Sequence, residues 1–144
     1  MIKRAGTQDL EVLAELANMM WTNHSIDELI TKFAEIMDKN QSAFFLKYDS
    51  DNPIGFAQCQ LRYDYVEGTT TSPVGYLEGI FVRKEYQNKG YARELFIECE
   101  TWAKQHGCHE FASDCEVENE MSQRFHMAMN FTEVNRIVCF TKNI

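Results

Sequence analysis

Two acids and one turn hold the residue types that could do chemistry in this chain. Glu78 interrupts VGYLEGIFV, Val74–Val82, a run with no other charge. A charge inside such a strand is costly unless it has a task or a partner. Asp114 closes a second short run, Phe111–Asp114. If the two runs are parallel neighbours, both acids lie at the carboxyl edge of the sheet, where ligands collect. Two carboxylates there attract an ammonium group and can take a proton from it, directly or through water. The blander reading is structural: a salt bridge to an internal arginine, or an N-cap at Asp114.

The turn is EYQNKGYARELF, Glu85–Phe96. It joins a strand-like run to a helix-like one. The first turn of a helix exposes unpaired backbone N–H groups, and the helix dipole adds partial positive charge, so the place suits an anion. Gly90 lets a ligand approach the backbone closely, and Lys89 and Arg93 add positive charge at the same end. With one glycine and no G-K-[ST], the pattern is neither a dinucleotide fingerprint nor a P-loop. An ordinary strand-to-helix turn could carry the same residues.

The elements that must position these groups follow from periodicity. Ile2–Ala5 reads as a strand and Thr7 as an N-cap. Leu10, Leu13, Leu16, Ala17 and Met20 recur at helical spacing. Ser25 to Glu28 has the S-x-x-E form of a capping box, and opens a second helix with Ile26, Leu29, Ile30 and Phe33 on one face. Ser42–Tyr48 and Ile54–Tyr65, split by the turn signal DSDNP, predict an antiparallel hairpin. Val74–Val82 has apolar residues on both faces, as a central strand does. Tyr91 to about His106 is a helix, Phe111–Asp114 a short strand, Glu118 or Asn119 to about Met129 a helix, and Phe131–Thr141 a last strand. The order β-α-α-β-β-β-α-β-α-β predicts a mixed α/β sheet in a single domain, residues 1–144.

Composition narrows the function. Fourteen basic residues against 22 acidic ones give a formal charge of −8. A nucleic-acid partner would want a basic surface, so cationic ligands are favoured, though solubility alone also explains the balance. No apolar run approaches the roughly 18 residues that span a bilayer. MIKRAGTQDL lacks a signal peptide's apolar centre, so a soluble cytoplasmic protein is expected. Five cysteines without a C-x-x-C pair read as core thiols. His106, Cys108 and His109 lie too close in sequence for a usual zinc site, and no metal is expected.

Q-x-x-G-x-A at Gln87–Ala92, after a strand ending Ile80-Phe81-Val82, resembles the coenzyme A pyrophosphate turn of the GNAT superfamily of N-acetyltransferases. That family has the same element order, with a late helix beginning at Asn, here Asn119. Trp21 with His24, RYDYVEGTTTSPVGYLEGIFV at Arg62–Val82, WAKQ at Trp102 and EFASD at Glu110–Asp114 resemble bacterial aminoglycoside 6′-N-acetyltransferases over essentially the whole chain.

The resemblance implies acetyl-CoA as co-substrate. Asn88, Lys89, Gly90, Tyr91, Ala92 and Arg93 then cradle its pyrophosphate, with Gln87 in the same motif. Ile80, Phe81 and Val82 pair with the pantetheine arm, and Asn119 contacts the cofactor or simply caps its helix. Glu78 and Asp114 hold a cationic aminoglycoside, one of them as base, with Trp21, His24 and Tyr65 at substrate-contacting positions. Trp21 also fits the core at the end of the first helix. Three departures stand out. His126 occupies the place of the family's usual Tyr, as acid for the leaving thiolate or as an ordinary half-buried histidine. Asn130 stands where Gly is usual, and can still adopt the left-handed stop. No cysteine is placed as an acyl-enzyme nucleophile, so direct transfer in a ternary complex is expected. Relatives are commonly homodimers, with the last strand a candidate to pair between subunits. The competing functions are acetylation of another amine, such as a polyamine or a protein N-terminus, and a non-catalytic acyl-CoA sensor.

Overall fold

The computed structural model describes every residue from Met1 to Ile144. Its elements are β1 (Ile2–Arg4), α1 (Leu10–Met20), α2 (Ile26–Asp38), β2 (Ser42–Asp49), β3 (Asn52–Arg62), β4 (Val74–Val82), α3 (Tyr91–Gln105), β5 (Phe111–Ser113) and α4 (Glu120–Ala128). The five strands form one sheet in sequence order. β1 to β4 are antiparallel, and β4 and β5 are parallel. The mixed sheet expected from the pattern is therefore present, and β4 lies in its interior.

Helices cover both faces. α1 and α2 pack on one through Leu13, Leu16, Leu29 and Phe33 against Phe44, Leu46 and Phe56. α3 packs on the other through Leu95, Cys99 and Trp102 against Ala57, Cys59 and Leu77. Burying a Phe or Leu side chain is worth about 1.5–3 kcal/mol, so these two layers fix where β4 lies.

β4 carries an irregularity that matters for the site. Gln58 of β3 pairs with Gly79 and Cys59 with Leu77, which leaves Glu78 without a partner. Leu77 and Ile80 are three residues apart yet both pack on the α3 face. Strict alternation would put them on opposite faces. The extra residue is a β-bulge, a device that re-aims side chains, and the residue it re-aims is Glu78.

Local details differ from the sequence reading at several points. Thr7 does not cap α1: Thr7–Asp9 form a 3-10 turn, and the Asp9 carboxylate accepts the Gly6 N–H at 2.9 Å. Ser25 accepts the Glu28 N–H at 3.1 Å, but the Glu28 carboxylate faces His24 instead of completing the box. β3 stops at Arg62, three residues before Tyr65. Cys59, Cys99 and Cys108 are buried as expected, whereas Cys115 and Cys139 are exposed. The stop after α4 is as expected, with Asn130 at φ 68°.

The largest difference is the last strand. Phe131 packs on Phe96 and Phe111, but the rest of Phe131–Thr141 makes no strand. Val134, Ile137, Val138 and Phe140 are exposed. A strand needs a neighbour to take its N–H and C=O groups, and this segment finds none within its own chain.

Candidate active site

The turn between β4 and α3 is a backbone device. Asn88 and Gly90 both have left-handed backbone, at φ 63° and 85°. The first i to i−4 bond of α3 runs from the Glu94 N–H to Gly90 O at 3.1 Å. The N–H groups ahead of it have no acceptor in the helix. Gln87 ties the turn to the strand by donating Nε2–H to Val82 O at 2.9 Å. Asn88, Lys89, Gly90 and Arg93 are exposed. A Cβ on Gly90 would meet nothing within 4 Å, so the space over the helix end is open. Lys47, almost buried, braces this end through Glu94 at 2.9 Å, with its ammonium 4.6 Å from the Tyr91 ring centre. The donors, the dipole and the two cationic side chains fit a phosphate-bearing ligand.

Beside this turn β4 has an open edge. Its pairing with β5 ends at Leu77–Ser113, so Ile80, Phe81 and Val82 have no strand partner on that side. Their main-chain groups there are available to an extended ligand carrying amides, as in strand addition.

The carboxylates lie where the bulge and the end of β5 put them. Arg62, the last residue of β3, donates Nε–H and Nη2–H to Glu78 Oε1 at 3.2 and 2.7 Å. Its guanidinium carbon lies 3.4 Å from the Tyr76 ring centre. The Tyr76 hydroxyl donates to Asp114 Oδ2. Burial and then this bond push the Tyr76 phenol well above its ordinary pKa, which keeps it a donor. The internal arginine that the sequence left open for Glu78 is thus present. Asp114 caps no helix; α4 is capped by Asn119, whose side chain accepts the Ser122 N–H at 3.1 Å.

Trp21 ends α1 and rests on β4. It makes edge contacts with Phe33 and Phe56, at 6.5 and 6.1 Å between ring centres. A Cβ on Gly79 would fall 2.7 Å from its ring. Gly79 is glycine because the indole fills that place. Trp21 is therefore both core and the immediate neighbour of the bulge. His24 lies in the α1–α2 connection, 3.5 Å from Glu28. Tyr65 is exposed and donates to Glu67 at 2.9 Å. Neither is hydrogen-bonded to Glu78 or Asp114.

His126 bridges α4 to β5. Its Nδ1 is 2.7 Å from Ser122 O, and its Nε2 is 2.7 Å from Ser113 Oγ. A carbonyl only accepts, so Nδ1 carries a proton, and Nε2 faces the serine hydroxyl, which itself lies 3.5 Å from Leu77 O. Ser113 is the last residue paired with β4, so this couple sits where the sheet opens.

Sequence reasoning passed over Arg62, Tyr76, Ser113 and Glu110. The signal for the first two was available: Tyr76 and Glu78 are two apart on one strand, and Arg62 ends its neighbour. Glu110 accepts the N–H groups of Thr70 and Thr71 at 2.9 and 2.8 Å, and so holds the TTTSP loop. The Thr71 hydroxyl and these amides keep its carboxyl below the ordinary range.

The model of the acetyltransferase (GNAT) family matches residues 10–131. The aminoglycoside N(6′)-acetyltransferase type 1 of Acinetobacter baumannii is 40% identical over 127 residues, 88% of this chain and 86% of that protein. Its counterpart from Acinetobacter genomosp. 13 is 38% identical over 130 residues, 90% and 88% of the two chains. Among solved structures, AAC(6′)-Iy in complex with the bisubstrate analogue CoA-S-monomethyl-acetylneamine is similar at a TM-score of 0.95 and 34% identity, covering 100% of this chain and 98% of that one. The apo aminoglycoside 6′-N-acetyltransferase AAC(6′)-IG of Acinetobacter haemolyticus is similar at 0.94 and 35%, covering 100% and 99%. With the family model matching residues 10–131 and relatives 38–40% identical over about nine-tenths of its length, the chain belongs to the GNAT acetyltransferase family.

Proposed function

We propose that this protein transfers acetyl from acetyl-CoA to the 6′-amino group of aminoglycosides, and so confers resistance. The observation that carries the reading is likeness over nearly the whole chain to enzymes named for that reaction. The acidic pair at the β4 bulge and the β5 end suits a polycation. The reaction joins the acceptor nitrogen to the acetyl carbon, breaks the thioester C–S bond, and moves a proton from nitrogen and another onto the thiolate.

Asn88 to Arg93, with Gln87 fixing their turn, bind the pyrophosphate of acetyl-CoA. Ile80, Phe81 and Val82 pair with its pantetheine arm, a β4 backbone N–H polarises the thioester carbonyl, and Asn119 contacts the arm while capping α4. Glu78 and Asp114 hold the acceptor's ammonium groups, and one of them removes the proton, directly or through water. Trp21 offers a ring face to a sugar, with His24 and Tyr65 on the rim. His126, with Nε2 toward Ser113 at the sheet opening, supplies the proton for the thiolate. Holding both partners in one ternary complex supplies much of the rate. Acetylation removes a positive charge from the drug, and so weakens its largely electrostatic grip on RNA.

The protein acts in the cytoplasm as a homodimer. The exposed apolar residues of the C-terminal segment, which has no strand partner in its own chain, support the dimer. Sedimentation of the purified protein at the mass of two chains is the expected result.

The reading is tested by release of coenzyme A thiol with kanamycin A as acceptor and then with a close analogue bearing a 6′ hydroxyl. Release with the amine and none with the hydroxyl is expected. Release only with spermidine or a peptide amine would move the acceptor to another class and keep the donor site.

A further inference from the structure

The two carboxylates are joined through side chains of the same chain. Glu78 meets Arg62, Arg62 stacks on Tyr76, and Tyr76 meets Asp114. The joining residues come from separate strands, Arg62 from the end of β3 and Tyr76 from β4. Tyr76 is buried at 7% exposure, among Val66, Val74 and Ala112, so the platform is fixed. Each carboxylate spends one oxygen on this linkage, Oε1 for Glu78 and Oδ2 for Asp114. The second oxygen of each has no hydrogen-bond partner within the chain. Arg62 also cancels one of the two negative charges, so the acceptor face carries one net negative charge at two separated acceptor oxygens. A fork of guanidinium donors with a planar face can grip a carboxylate and stack at once, which a lysine cannot do.

We propose that Arg62 and Tyr76 act together as one stacked positioning unit that sets the separation and orientation of the free oxygens of Glu78 and Asp114 toward the acceptor's ammonium groups. The inference rests on the aminoglycoside reading above. Neither residue touches the reacting atoms; each acts through the carboxylate it holds. Tyr76→Phe keeps the stack and drops the bond to Asp114. Arg62→Gln drops the stack and the fork, and Arg62→Lys keeps only the charge.

The test is steady-state thiol release with kanamycin A for wild type, Arg62→Gln, Arg62→Lys, Tyr76→Phe and the Arg62→Gln/Tyr76→Phe double variant. Melting temperature and acetyl-CoA affinity are measured alongside. Each single variant is expected to raise the kanamycin KM by about 10-fold or more, corresponding to roughly 1.4 kcal/mol. kcat should change less, and acetyl-CoA affinity should stay within about twofold of wild type. Lysine at position 62 should not restore the KM. The double variant should be no worse than the poorer single one, because removing either half breaks the same linkage. Effects that multiply in the double variant would overturn the proposal, as would rescue by lysine. So would a lower KM in Arg62→Gln, which would make Arg62 a competitor for Glu78. If wild type uses another amine and not kanamycin A, the substrate reading has failed separately, and the same comparison is then scored on that amine.

Discussion

In the proposed reading, the donor turn and the acceptor face are built from different materials. Around Gly90 the working groups are main-chain N–H donors, fixed by two left-handed residues and a helix end. Around Glu78 and Asp114 they are side chains from β3, β4 and the residue after β5, held by a bulge, a stack and three hydrogen bonds. A backbone site tolerates most side-chain changes and fails where dihedrals change. A side-chain site fails when any one of its members is replaced. Damage to one half should therefore leave the other intact.

Replacing an acceptor carboxylate should give the largest effect. Asp114→Asn or Glu78→Gln is expected to lower kcat/KM for kanamycin A by about 10²–10⁴-fold, the usual weight of a positioned acid or base. The readout is initial rates of thiol release, with acetyl-CoA KM as the control that should hold. The donor side is broken through its dihedrals. At Gly90 an added Cβ meets nothing within 4 Å, so the penalty of a valine there is mainly conformational, about 1–2 kcal/mol for left-handed backbone. Gly90→Val should weaken acetyl-CoA binding roughly tenfold in a fluorescence or calorimetric titration, with the kanamycin KM little changed at saturating acetyl-CoA.

Gly79→Ala sharpens the comparison, since it changes backbone space in order to move an acceptor-side ring. Its Cβ would fall 2.7 Å from Trp21, an overpacking worth about 1–3 kcal/mol. A melting temperature lower by about 2–10 °C is expected, with a raised kanamycin KM and normal acetyl-CoA affinity.

The smallest effect belongs to a site remote from both halves. Burial pushes the Asp9 carboxyl up, but the Gly6 N–H and the Lys3 ammonium, at 2.9 Å each, outweigh it and hold the pKa below the ordinary value. Its stabilisation is present above about pH 4 and is lost as pH falls through the folded-state pKa. Asp9→Asn should cost about 1 kcal/mol at pH 7. In urea titrations its gap from wild type should close in acid, with turnover unaffected.

The two halves were also unequally legible in the sequence. The turn before α3 was readable because glycine between a strand run and a helix run is a local signal, and its span, Gln87 to Arg93, is contiguous. The helices were readable because their apolar periods are long. The acceptor acids stood out as charges where none belonged. What held them did not stand out, because Arg62, Tyr76 and Asp114 are distant in sequence and meet only through β-pairing. The bulge at Glu78 was hidden too: it adds one residue to β4 relative to β3, and alternation within β4 alone does not reveal it. The last strand was overread for a related reason. Its Val, Ile and Phe residues suit a strand but do not make one, since the partner edge is not encoded in the segment.

The most direct test is a calorimetric titration of the Glu78→Gln/Asp114→Asn protein, first with acetyl-CoA and then with kanamycin A. Acetyl-CoA should bind within about twofold of wild type while the kanamycin heat disappears, a loss of at least about 10-fold in affinity. Kanamycin bound as tightly as by wild type, or acetyl-CoA binding lost together with it, would contradict the division into a backbone donor site and a carboxylate acceptor site.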